Sequence, residues 1–180
     1  MLKLTLSGLL LASNFILSSS EMNLEERTTQ PIGHYDFCKR YTDECKPTKL
    51  YKPLVVNSKL LNLLNKVNLS VNSYIKPSTD LELYGKNEYW TYPVNSLGDC
   101  EDYVLEKRRW LNEAGIPLSN LLITTVRMTD KQYHAVLIVR TTEGYLILDN
   151  LSNKIKKWTE TNYQYLKSQS PSHAGHWVKL

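Results

Sequence analysis

Three side chains that could together make and use a nucleophile are spread along the second half of the chain: Cys100, His134 and Asp149. A thiol attacks only as its anion, so it needs a base to take its proton and an acceptor to orient that base. Cys100 lies in Ser96-Leu-Gly-Asp-Cys-Glu-Asp-Tyr, where Gly98 signals a turn and Asp99 occupies the N-cap position of a helix. The sulfur then falls in the first helical turn, where unpaired backbone N–H groups and the helix dipole favour negative charge. His134 opens an apolar strand and Asp149 ends the next one. In an antiparallel pair the start of one strand lies beside the end of its neighbour, so the imidazole and the carboxylate should touch. A helix whose N-terminus meets that sheet edge would bring Cys100 to the same corner. Each residue alone has a plainer reading: a strand histidine is usually structural, and Asp149-Asn150 reads as a turn. Their convergence is what points to catalysis.

The elements that must position these residues are legible as patterns. Asn57 to Tyr74 carries Leu60, Leu61, Leu64, Val67, Val71 and Tyr74 at helical spacing, and Pro77 lies beyond its end. Cys100 to Ala114 reads as a second helix with Tyr103, Val104, Trp110, Leu111 and Ala114 on one stripe, closed by Gly115 and Pro117. Strands follow at Leu121 to Met128, Tyr133 to Arg140 and Gly144 to Asp149, joined by hairpin-length loops. The middle strand is apolar on both faces, as for a strand covered on each side. Residues 21 to 56 show no sustained period and read as an irregular arm. Asp80 to Pro93 reads as an aromatic-rich loop, and the chain beyond Asn150 as polar and aromatic. Helices followed by an antiparallel meander indicate an α+β fold.

A chain of 180 residues suits one domain, and 42% hydrophobic with 22% charged residues excludes disorder. A net charge of +4 without a basic, aromatic-interleaved cluster excludes nucleic acid as a partner. Lys107-Arg-Arg, the densest basic group, reads as a solvated helix face. Residues 1 to 20 have a lysine followed by an apolar run and small residues, the pattern of a secretory signal, with an uncleaved anchor as the alternative. Domain organisation is then a signal over 1–20 and a single domain over 21–180, periplasmic or secreted, with no stable membrane span once the signal is removed. Of the three cysteines, Cys38 and Cys45 are close enough to pair in an oxidising compartment, which leaves Cys100 as the free thiol. His173 and His176 lack a third ligand at suitable spacing for a metal, and His34 reads as a surface or packing residue.

Gly98-Asp-Cys-Glu-Asp-Tyr, Lys107-Arg with Leu111 and Gly115, His134-Ala-Val-Leu and Leu148-Asp-Asn-Leu resemble the bacterial transglutaminase-like cysteine peptidases of the LapG type. The upstream Glu-Tyr-Trp at 88 to 90 and the late Trp177 fit as well, so the resemblance covers about residues 30 to 180. It implies a papain/transglutaminase-like fold and a Cys-His-Asp triad at Cys100, His134 and Asp149. It also implies a periplasmic, calcium-dependent endopeptidase. Relatives of this type cut large surface adhesins, dispersing biofilm, and are sequestered by an inner-membrane protein that senses cyclic-di-GMP.

Calcium is favoured by a separate argument. One carboxylate ~6 Å from the sulfur at an effective dielectric of ~20 costs about 2–3 kcal/mol, roughly two pKa units against the thiolate. Asp99 and Glu101 would cancel the advantage of the helix terminus unless a Ca²⁺ ion neutralised them, so Asp99, Glu101 and Asp102 are the expected ligands. For the oxyanion, the Cys100 N–H is the natural donor, with the Trp90 indole or the Asn95 side chain as a second. Competing readings of the same residues are a transglutaminase-type acyl transferase, a cysteine-type cell-wall amidase and a non-catalytic calcium-dependent binding protein.

Overall fold

A seven-stranded antiparallel sheet with helices packed on one face organises the computed structural model, which describes residues 22, 24 and 26–180. In chain order the elements are β1 (Arg27–Thr28), α1 (Ile32–Arg40), α2 (Ser58–Tyr74), β2 (Lys76–Pro77), α3 (Asp80–Tyr84), β3 (Leu97–Gly98) and α4 (Cys100–Glu113). They continue with β4 (Leu121–Arg127), β5 (Tyr133–Thr141), β6 (Gly144–Leu148), β7 (Lys156–Lys157), β8 (Gln164–Ser170) and β9 (His173–Lys179). The strand order is β1-β9-β8-β4-β5-β6-β7, and β2 and β3 form a separate parallel pair. The signal-like stretch lies outside the described residues. Among the described residues no helix is long and apolar enough to cross a membrane.

The expected elements are present, with the Asn57 side chain accepting from Leu60 N as the cap of α2. Alternation along β5 sends Ala135, Leu137 and Val139 into the core under α4, and Val136 and Ile138 into a second cluster on the opposite face. Four expectations fail, three of them for tertiary reasons and one, over Asp80–Tyr84, against a local signal. The arm contains α1, whose buried His34 meets Trp90 and Trp177 and whose buried Phe37 meets Tyr41 and Tyr92, although Pro31 and Gly33 make its start read as loop. The aromatic loop begins with α3, started by a capping box between Thr79 and Glu82. The polar tail supplies β7, β8 and β9, and β8 pairs with β4 rather than extending the meander. On α4 the stripe is shifted: Ala114 is exposed and Trp110 half-buried.

The shift follows from what covers the helix. Lys107 and Arg108, expected in solvent, are 0% and 2% exposed. Arg108 donates to Glu44 Oε2 at 3.0 Å and to the Leu121 carbonyl, so its charge is answered. Lys107 Nζ has no hydrogen-bond partner and lies 5.9 Å from the centroid of the Tyr103 ring. Burial lowers its pKa from 10.5 to about 7, opposed by Asp149.

A buried donor without a partner costs about 1–3 kcal/mol, so Lys107→Met should raise the midpoint of thermal unfolding by several degrees. The unfolded chain holds the extra proton between pH 7 and 10.5, so the native protein regains this stability as pH rises through that window. The advantage of Met should therefore be full below about pH 7 and vanish near 10.5, read from melting curves across pH. A lower midpoint for Lys107→Met would contradict this account.

Candidate active site

The approach to Cys100 is fixed before the helix begins. Lys76 N donates to Ser96 O at 2.8 Å and Ser78 N to Gly98 O at 3.0 Å, which ties the turn to the exit of α2. Asn95 and Ser96 are both left-handed, with φ of 54° and 59°, reversing the chain tightly between Val94 and Leu97. A Cβ on Gly98 would stand 2.6 Å from Asp102 Oδ2, so only glycine admits that carboxylate beneath the turn. Asp99 is at the N-cap of α4 as expected, yet its side chain makes no capping bond. The Tyr103 N–H instead bonds to the Asp99 carbonyl at 3.2 Å.

Cys100 is half-buried and unpaired, whereas Cys38 and Cys45 form a disulfide. Cys100, His134 and Ala135 line one cleft of about 330 Å³, together with Pro31, Ile32, Trp90, Tyr133 and Leu166. His134 Nε2 bonds to Asp149 Oδ1 at 2.9 Å, the adjacency that the strand pairing required. Asp149 is further fixed at Oδ1 by the Leu151 N–H at 2.9 Å and at Oδ2 by the Tyr163 hydroxyl at 2.6 Å. Burial alone would raise the Asp149 pKa. The bonds from His134, Tyr163 and Leu151 overcome this and hold it below the ordinary carboxylate value. The loop after it is clamped from α2, where Asn72 Nδ2 donates to the Asp149 carbonyl at 2.9 Å and Asn68 Nδ2 to the Ser152 carbonyl at 3.0 Å.

The thiol itself donates to Glu101 Oε2 at 2.9 Å. Its pKa is pushed well up by burial, then by Glu101 and by Asp99, while the Ala135 N–H works the other way. The neighbouring acids are equally strained. Burial, with repulsion from neighbouring acids, raises Asp99 to about 6 and Asp102 to about 8 and also raises Glu101, while burial alone raises Asp80. One ligand oxygen each from Asp80, Asp99 and Asp102 lies within 4.8 Å of the others, and Asp99 and Glu101 form a like group with the sulfur. Asp80 Oδ1, Asp99 Oδ1 and Asp102 Oδ2 are buried without a hydrogen-bond partner. Unpartnered buried oxygens gathered this closely fit a hard divalent cation such as calcium, which takes all-oxygen shells.

Sequence reasoning missed several of these residues. Asp80 reads as a loop residue, although its Oδ2 accepts from Tyr89 N and brings α3 to the acidic group. Tyr163 and the two asparagines of α2 carry no local signal. Of the suggested oxyanion donors, the Trp90 indole is committed to Glu88 at 3.1 Å, and Asn95 is exposed in the turn. His34 is a buried core histidine whose pKa burial lowers to about 3, and His173 and His176 stack at 3.6 Å outside any metal-binding group among the described residues.

None of the curated proteins compared with the chain matches it. Among solved structures, calcium-bound LapG of Legionella pneumophila is 33% identical with a TM-score of 0.54, over 61% of this chain and 64% of that one. The chain thus spans somewhat less than two thirds of that relative. LapG of the same organism in two further structures, one of them EGTA-treated, is 32% identical with a TM-score of 0.56, over 66% of this chain and 67% of that one. Residues 24–180 match the family model for bacterial transglutaminase-like cysteine proteinases, a span that takes in all nine strands and four helices. The chain belongs to that family.

Proposed function

We propose that this chain is an exported, calcium-dependent cysteine endopeptidase that works through Cys100, His134 and Asp149. The observation that carries the reading is a free thiol at a helix N-terminus sharing a cleft with a histidine already bonded to a buried, ionised aspartate. Because His134 Nε2 is committed to Asp149, Nδ1 is the nitrogen left to take the thiol proton. The thiolate attacks the peptide carbonyl carbon, and the Cys100 N–H at the start of α4 faces the developing oxyanion. His134 then gives its proton to the leaving amine, and water, activated by the same imidazole, releases the acyl group from sulfur. The cleft joins an apolar wall of Pro31, Trp90 and Leu166, with Ile32 and Tyr133 at 66% and 69% exposure, to the charged Glu88 and Lys167, which suits a stretch of a protein substrate with both apolar and polar side chains. A large surface adhesin, a periplasmic or secreted location and an inner-membrane regulator belong to the same reading. The Cys38–Cys45 disulfide supports the location.

Asp80, Asp99, Glu101 and Asp102 are the residues that would hold calcium, and the calcium-bound and EGTA-treated LapG structures support calcium as the ion. Bound calcium would supply positive charge beside a thiol that otherwise shares its proton with Glu101. Incubating wild type and Cys100→Ala with the surface and secreted proteins of the source cell tests the reading. New protein N-termini should arise only with wild type in calcium, with a loss of at least ~10³-fold in Cys100→Ala. Equal fragmentation by the variant would overturn it.

The acids also predict a pH dependence. Asp99 and Asp102 have native pKa values raised from 3.8 to about 6 and about 8, so the stability they contribute is full below pH 3.8 and is lost as pH rises through those values. In EGTA the unfolding midpoint should fall between pH 5 and 8, and excess calcium should restore it at pH 8. Asp102→Asn should flatten the slope; a midpoint indifferent to both pH and calcium would contradict the cation site.

A further inference from the structure

Asp149 has a neighbour on the side away from the thiol. Tyr163 lies between the turn at Trp158–Glu160 and β8, 14 residues after Asp149, and its hydroxyl donates to Asp149 Oδ2 at 2.6 Å. The edge of its ring meets the His134 ring, with centroids 5.9 Å apart and planes at 62°. One side chain therefore touches both members of the pair. Behind it opens a second cleft of about 280 Å³, lined by Asp149 and Tyr163 themselves with Thr129, Asn162, Lys154 and Lys156 among others. Without the phenol, Oδ2 would face the water of that cleft.

We infer that Tyr163 is a positioning residue of the reaction, holding the Asp149 carboxylate in the orientation that presents His134 to Cys100. The inference rests on the proposed triad and extends it. Two of the carboxylate's three bonds, from His134 and the Leu151 N–H, converge on Oδ1. Rotation about the Cβ–Cγ bond is opposed at Oδ2, among the described residues, by the hydroxyl of this tyrosine. Freed from that bond, the carboxylate can turn toward the second cleft, where water and the lysines that line it compete with the imidazole for it. The ring contact gives the second effect: packing against the imidazole limits its rotation. Tyr163→Phe keeps the ring and removes the hydroxyl, so it tests the hydrogen bond while the packing stays.

The readout is alkylation of Cys100 by iodoacetamide, followed by mass spectrometry in calcium-containing buffer, which needs no knowledge of the substrate. Wild type should react at pH 6 to 7, where a thiolate exists only through its pair with an imidazolium. Tyr163→Phe should lower that rate about 5- to 10-fold and leave the rate above pH 10, where any thiol is ionised, unchanged. Asp149→Asn should lower it further, and the double variant should be no slower than Asp149→Asn alone, because the tyrosine acts through the aspartate. A purely structural role would give multiplying effects, or a fall at all pH values together. Either result, or an unchanged Tyr163→Phe, overturns the inference. A wild type that reacts only at high pH would instead sink the triad itself, and the inference with it.

Discussion

Everything at this site depends on how negative charge is managed around one sulfur. A helix N-terminus offers Cys100 a favourable potential, but the same turn carries Asp99, Glu101 and Asp102, with Asp80 brought up from α3. Burial makes their repulsion strong, and each acid is held above its ordinary pKa. The thiol answers by donating to Glu101. A protein gains nothing in stability from such crowding, and three of the acids keep a buried oxygen without a partner. Residues kept at that cost mark a functional site rather than a packing solution.

The opposite corner is arranged the other way. Asp149 is equally buried, yet its oxygens are supplied with donors and its pKa is low. One carboxylate environment, starved of donors, therefore lies beside the thiol, and the other, saturated with them, lies behind His134. The fold builds each from parts distant in sequence. The acidic side needs the short β2–β3 pair and α3; the saturated side needs the β5–β6 register, the asparagines of α2 and the tyrosine ahead of β8. The apolar wall of the cleft comes from the start of α1, whose Gly33 packs on the Trp90 indole and whose far end is closed by the Cys38–Cys45 bridge.

How much of this could be read in advance follows from which forces are local. The start of α4 is written in Gly98-Asp99, and its end in Gly115, because turn and cap chemistry depends on neighbours in sequence. The pairing of β5 with β6 follows from alternation and loop length, so His134 and Asp149 could be placed together. Helix α1 escaped because Pro31, Gly33 and a buried polar His34 mask its period. Lys107 and Arg108 looked solvated because nothing local says that Glu44 and α2 will cover that side of α4. Asp80 and Tyr163 reach the site only through tertiary contacts, and a side chain's distant partner leaves no trace in its own segment.

The central claim is that the Cys100 anion becomes usable when positive charge offsets the acids beside it while His134 holds its proton. The most direct test is the pH profile of Cys100 alkylation in wild type, measured once in calcium and once in EGTA. The account predicts a reactive branch near neutral pH in calcium that disappears in EGTA, leaving only the high-pH titration of a buried thiol. Superimposable profiles in the two buffers would contradict it.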